Sequence, residues 1–326
     1  MFFSTTTVPY IRPISEENEI YRIFNPEERA YHAKSMVLYG DPSMPLALYQ
    51  YKSGNITQNT QWCGSIVVED DISVAAGVTL TIQPGTGIFF KDNAQLKVYG
   101  TLIAEGTESY PIVFSGASEN PSAGDWAGIY FYDSSVDANC IMKYCVIEYA
   151  NQGITCNSAS PTIQNCQLSY CNKGIYLYNS SPTIESNVIY QNYYGIYGLT
   201  SSSPTITNNQ IYNNIPYGAY FITNCTPNLY ENLFESNNYG VYVRDESDAR
   251  FGPTSGQVDG ANVVKSNAIH GIRAYDDSDP FLGSSDAYNN RIGGNWKIRH
   301  HSDSDSDIIR TAIPESIRTL LDAMSE

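Results

Sequence analysis

Residues 145–165 read CVIEYANQGITCNSASPTIQN, 166–186 CQLSYCNKGIYLYNSSPTIES, 187–208 NVIYQNYYGIYGLTSSSPTITN, 209–231 NQIYNNIPYGAYFITNCTPNLYE and 232–243 NLFESNNYGVYV. Aligned on Gly153, Gly174, Gly195, Gly218 and Gly240, the segments repeat at steps of 21, 21, 23 and 22 residues. Pro161, Pro182, Pro204 and Pro227 keep the same beat. Self-similarity at a fixed period of this size means stacked structural units, each contacting its neighbours.

The columns of the alignment identify the unit. Near the start of each repeat stands Ile147, Leu168, Ile189, Ile211 or Phe234. After the glycine comes Ile154, Ile175, Ile196, Ala219 or Val241, and two places on Cys156, Leu177, Gly198, Phe221 or Val243. Beyond the proline comes Ile163, Ile184, Ile206 or Leu229. Apolar positions alternate with polar or aromatic ones over runs of four or five residues, which is strand periodicity. The Leu-x-x-Leu-x-Leu frame of leucine-rich repeats is absent. Three short strands per repeat, wound into one coil, predict an all-β parallel β-helix rising ~4.8 Å per coil.

Two polar columns support this. One runs Cys145, Cys166, Asn187, Asn209, Asn232; the other runs Ala150, Cys171, Asn192, Asn214, Asn237. Stacked Asn residues can pass amide hydrogen bonds along the stack, and Asn tolerates left-handed turns. With these columns in place, the chain resembles the right-handed parallel β-helix superfamily, the pectate-lyase-like fold of bacterial surface and secreted proteins, over roughly Cys63 to Asp307. The resemblance implies an extracellular or bacterial cell-surface location and is unspecific for activity.

Length and composition narrow the field. The chain has 326 residues and a net charge of −16, which makes nucleic acid an unsuitable partner. There is no apolar run of ~18 residues to span a membrane, and the start at Met1-Phe2-Phe3 lacks the pattern of a signal peptide. The seven cysteines show no zinc spacing. Most are read as buried thiols, although Cys145 and Cys166, one coil apart, fall near disulfide reach.

The sequence divides into an appendage over 1–53, a β-helix over 54–310 and a C-terminal helical cap or tail over 311–326. In the appendage, Asn25-Pro26-Glu27-Glu28 is a helix start. Ala33 to Tyr49 (AKSMVLYGDPSMPLALY) resembles the closing segment of gingipain-type cysteine peptidases, which implies an accessory domain of a secreted peptidase whose catalytic residues lie elsewhere. The tail places Ile313, Ile317, Leu320, Leu321 and Met324 at helical spacing.

Two sets of residues are candidates for binding. Tyr176, Tyr197, Tyr220 and Tyr242 form one outward column, and Tyr194, Tyr217 and Tyr239 stand just before the glycines. Rings at ~5 Å intervals suit stacking against sugars; the alternative is a cross-strand ladder that only stabilises the sheet. Asp245, Asp248, Asp276 and Asp279 share offsets from Gly240 and Gly271, which predicts one acidic corner. Such oxygens suit Ca²⁺; the alternative is a solvated acidic corner. Pectate lyases of the resembled fold pair Ca²⁺ with Arg, and related hydrolases use paired Asp. Neither motif is matched here, so no catalytic residue is assigned. The expected function is a non-catalytic, monomeric module that binds polysaccharide or cell-surface glycan, or serves as a stalk or adhesion surface. A polysaccharide lyase or glycoside hydrolase is the alternative.

Overall fold

The computed structural model describes residues 49–252, 262–278, 280, 291–292 and 297–298. Almost all of the expected appendage and peptidase-like segment, the C-terminal helix and Asp279 lie outside the described residues. What is described is a parallel β-solenoid, as the repeat predicts.

From residue 79 to residue 230 each coil carries three strands, one on each of three faces. The first face includes Ile112–Gly116, Cys145–Glu148, Gln167–Ser169, Val188–Tyr190, Gln210–Tyr212 and Leu233–Glu235. The second includes Trp126–Tyr132, Ala150–Asn157, Lys173–Tyr178, Tyr194–Leu199, Tyr217–Ile222 and Tyr239–Arg244. The third includes Ile141–Lys143, Thr162–Gln164, Thr183–Glu185, Thr205–Thr207 and Asn228–Tyr230. The register follows the sequence columns: Ile147 pairs with Leu168, Leu168 with Ile189, Ile189 with Ile211 and Ile211 with Phe234. The same holds from Ile154 to Val241 and from Ile163 to Leu229. All of these side chains are fully buried, and each Val, Leu, Ile or Phe among them contributes ~1.5–3 kcal/mol of apolar burial.

The first coils begin earlier than the expected start at residue 54. Tyr49–Ile56 pairs with Ser65–Val74, and Thr60–Trp62 with Thr79–Ile82. Gln95–Val98 and Thr101–Glu105 are consecutive strands on different faces. Gly100 turns the chain between them, where a β-carbon would strike the carbonyls of Ala75 and Val78.

Buried polar ladders hold the corners. Asn187 Nδ2 donates to Asn209 Oδ1 (3.0 Å), Asn209 to Asn232 (3.0 Å) and Asn232 to Asn262 (3.0 Å). At the next corner Asn192 donates to Asn214 (3.0 Å), Asn214 to Asn237 (3.2 Å) and Asn237 to Asn267 (3.1 Å). Each receiving oxygen also accepts the backbone N–H of the Asn one coil earlier, as in Asn192 N to Asn214 Oδ1 at 3.1 Å. Each amide nitrogen has a further carbonyl partner, as in Asn214 Nδ2 to Ile189 O at 3.0 Å. The left-handed turn falls on the residue before the ladder Asn: Ser186 (φ 57°), Gln191 (φ 54°), Asn208 (φ 56°), Asn213 (φ 54°), Ser236 (φ 57°). Ladder Asn residues are therefore chosen for their inward amides, not for a left-handed backbone.

The third corner carries a serine ladder that the columns had not singled out. Ser180 N donates to Ser202 Oγ (3.2 Å), Cys225 N to Ser247 Oγ (3.0 Å) and Ser247 N to Ser278 Oγ (3.0 Å). Cys145 and Cys166 are both free thiols, so no bridge joins their coils. Cys166 imitates a ladder Asn in part, its Sγ donating to Met142 O at 3.4 Å.

Asn214→Ala should cost several kcal/mol, because it strands the backbone N–H of Asn192, at ~1–3 kcal/mol per buried group left unpaired, and leaves a hole in the ladder. Asn151→Ala, which removes an exposed Oδ1 that accepts from Asn172 Nδ2 at 3.0 Å, should cost under about 0.5 kcal/mol. Urea denaturation of the two variants checks this; similar losses would mean that the ladder contributes no more than a surface contact.

Candidate ligand-binding face

A glycine column creates the second face's unusual exterior. Along Lys173–Tyr178, Tyr194–Leu199 and Tyr217–Ile222, two successive residues turn inward: Gly174 and Ile175, Gly195 and Ile196, Gly218 and Ala219. This interrupts strict alternation, so residues three apart both face outward. Only glycine fits there. A β-carbon on Gly174 would lie 2.7 Å from the carbonyl oxygen of Gly195, and one on Gly218 would lie 2.6 Å from that of Gly240. The Tyr-Gly-apolar-Tyr phrase thus places two tyrosine columns on one face.

The predicted tyrosines meet. Tyr194 stacks on Tyr217 (5.3 Å, 15°) and Tyr217 on Tyr239 (5.1 Å, 24°). Beside them run Tyr176 to Tyr197 (5.5 Å), Tyr197 to Tyr220 (5.2 Å) and Tyr220 to Tyr242 (5.2 Å). Rungs within a coil join the columns: Tyr194 to Tyr197 at 5.0 Å and Tyr217 to Tyr220 at 4.8 Å. The sequence suggested flat rings open to a sugar. Instead the rings cover one another, Tyr242 is buried at 8% exposure, and the other six are half-buried.

Electrostatics follow from this packing. Burial raises the hydroxyl pKa of Tyr176, Tyr194, Tyr197, Tyr217 and Tyr242. It pushes Tyr220 up to about 12 against the pull of the neighbouring Arg244 guanidinium. Lys173 continues the Tyr194 column, with Nζ 5.6 Å from the Tyr176 ring centre and 6.0 Å from that of Tyr197. Arg273 continues the Tyr242 column at the other end, 5.2 Å from the Tyr242 ring and 5.7 Å from that of Tyr239, whose hydroxyl accepts from Nη1 at 3.3 Å. Lys173 was not singled out in the sequence, though its place in a tyrosine column marks it.

The acidic corner is organised differently from the expectation. Asp245 and Asp276 do lie in adjacent coils, with Glu246 N donating to Asp276 O at 3.0 Å. Their carboxylates converge on a guanidinium: Arg244 Nε meets Asp245 Oδ1 at 3.1 Å, and Nη2 meets Asp276 Oδ2 at 3.1 Å. Arg244 relieves the repulsion that a Ca²⁺ ion was expected to relieve. Asp248 stands at the same corner, its N–H donating to Cys225 O at 2.8 Å. Among the described residues, no group of three or more His, Cys, Asp and Glu could hold a metal ion. The acids also suit the backbone here: Asp245 (φ 53°), Glu246 (φ 58°), Asp276 (φ 51°) and Asp277 (φ 57°) are left-handed, a conformation that Asp tolerates well.

The tyrosine block has a pH signature. Folding raises these pKa values above the ordinary 10.0, so the folded state holds the protons more tightly. The resulting stabilisation is complete below pH 10 and is lost as pH rises toward about 12. Absorbance titration of the folded protein should show these phenols ionising later than in the urea-unfolded chain, with the melting temperature falling over that window. Coincident titrations would mean that the rings are fully solvated.

Comparison with known proteins gives the context. Residues 118–254 and 152–309 match the family described as "Right handed beta helix region", and together they cover more than half of the chain. The protein named "Protein bark beetle" of Drosophila melanogaster is 32% identical over 97 residues, which is 29% of this chain and 3% of that protein. No solved structure matches. Among the described residues, no helix is long and apolar enough to cross a membrane. The parallel solenoid, its repeat register and the family match agree: the chain belongs to the right-handed β-helix family.

Proposed function

We propose that this chain is a non-catalytic β-helix module that binds polysaccharide or cell-surface glycan through its tyrosine face, as a stalk or adhesion surface of an extracellular protein. The observation that carries the reading is the block of seven in-register tyrosines on one face. A glycan offers a long row of hydroxyls at short intervals. The block offers phenolic oxygens, each donor and acceptor, repeating at ring spacings of 5.1–5.5 Å along the axis. Partial burial lowers the cost of giving up water there, since the hydroxyls are already partly desolvated. Recognition is by ring edge, and it needs no movement of the rigid sheet beneath. The extracellular placement follows from the ligand class.

A non-catalytic role fits the corner chemistry. Asp245 and Asp276 are held by Arg244, and a carboxylate engaged with a guanidinium is a poor proton acceptor.

The test separates ring from hydroxyl. The double variant Tyr197→Phe, Tyr217→Phe keeps the ring packing and removes two hydroxyls. At ~0.5–1.5 kcal/mol per hydrogen bond, binding of a neutral oligosaccharide panel should weaken by about tenfold, with melting unchanged. Absence of binding to any oligosaccharide at millimolar concentration, or equal affinity in the double variant, would contradict the reading.

A further inference from the structure

The tyrosine block is flanked at diagonal ends by cations that have no carboxylate partner among the described residues, in a protein whose net charge is −16. Four other cations on the solenoid are neutralised locally, Lys91 by Glu69, Lys97 by Asp71, Lys265 by Glu235, and Arg244 by Asp245 and Asp276, whereas Lys52, Lys143 and Arg250 stand away from the tyrosine block. Among the described residues neither Lys173 nor Arg273 forms such a pair. Both lie against ring faces instead, Lys173 over Tyr176 and Tyr197, and Arg273 over Tyr239, Tyr242 and Tyr275.

This arrangement has a physical consequence. Burial lowers the pKa of Lys173 with no carboxylate opposing it, so its ammonium is paying a desolvation cost that ring contacts offset only in part. An anion brought to Lys173 would recover that cost, and one brought to Arg273 would find a charge-assisted partner. The two cations lie four coils apart along the register, about 19 Å at ~4.8 Å per coil. A linear ligand following the tyrosine columns would meet both.

From this juxtaposition of two unpaired cations and an intervening tyrosine grid, we infer that the ligand of this face is an acidic, linear glycan whose carboxylate or sulfate groups are held at Lys173 and Arg273. The inference rests on the tyrosine face being a glycan-binding surface. The acidic remainder of the protein works against long-range attraction of such a ligand, so recognition is local and short-ranged. The guanidinium of Arg273 can grip a carboxylate or sulfate with two parallel hydrogen bonds, whereas Lys173 offers a point charge.

Calorimetric titration of the whole chain tests this with four probes of equal length: a neutral cello-oligosaccharide, an oligouronate, a sulfated oligosaccharide and an oligoglutamate. Measurements at roughly 0.01 M and 1 M salt span a Debye length of ~30 to ~3 Å. The acidic sugars should bind at least about tenfold tighter than the neutral one at low salt, and the gap should narrow at high salt. Whichever acidic sugar binds tighter identifies the preferred anion. Lys173→Gln and Arg273→Gln should each reduce the ratio of acidic to neutral affinity, while Lys173→Arg retains it. Equal binding of neutral and acidic sugars would overturn the inference and leave the glycan face standing. Absence of binding to every sugar would overturn both. Oligoglutamate binding as tightly as the acidic sugars, or a ratio untouched by both Gln variants, would overturn the assignment of the ligand or of the residues.

Discussion

Everything in this molecule depends on keeping successive coils in register at the spacing of parallel strands. The buried asparagine ladders enforce it. An Asn amide needs two acceptors and offers an oxygen with two lone pairs. At Asn192 and Asn214 the neighbouring coils supply partners for these sites, including the donor N–H of the coil before. A slip of one residue would turn each buried amide outward and drive apolar columns such as Ile154–Ile175–Ile196 to the surface. The ladder therefore penalises every register but one, and the hydrophobic columns then contribute the larger share of burial.

Register in turn builds the tyrosine block. The strand spacing of ~4.8 Å exceeds the thickness of an aromatic ring, so rings standing on successive coils must tilt to touch. The observed interplanar angles, 15° for Tyr194–Tyr217 and 31° for Tyr197–Tyr220, show that adjustment. The second column exists because the glycines permit two inward residues in a row. Backbone close packing, side-chain ladders and the aromatic surface are thus successive consequences of one axial repeat.

The repeat made the fold legible before any coordinates. Column by column, the buried residues from Ile147 to Phe234 and from Ile163 to Leu229 were readable because strand alternation and period agree there. Other features were not. The left-handed residues at the corners have mixed identities, Tyr170, Gln191, Asn213 and Ser236 among them, so no composition signal marks them. The serine ladder lay hidden because Ser180 and Ser202 sit among other turn serines and Ser247 sits among acids. The site was legible in part. The sequence placed the seven tyrosines and the Asp245–Asp276 pair together. Periodicity tells which side a residue faces but not whether its neighbours cover it, so the stacking of rings on rings escaped it. The capture of both carboxylates by Arg244 escaped it for a similar reason, since a long side chain reaches across coils.

The register of the coils stands on the ladders being closed, dry hydrogen-bond chains. Side-chain amide hydrogen exchange measures that directly. Asn192, Asn209 and Asn214 amide protons are predicted to exchange only through global unfolding, at rates matching the slowest backbone amides of Ile189 and Ile211, while the exposed Asn208 amide exchanges freely. Exchange of the three ladder amides at solvent-exposed rates in the folded protein would contradict it.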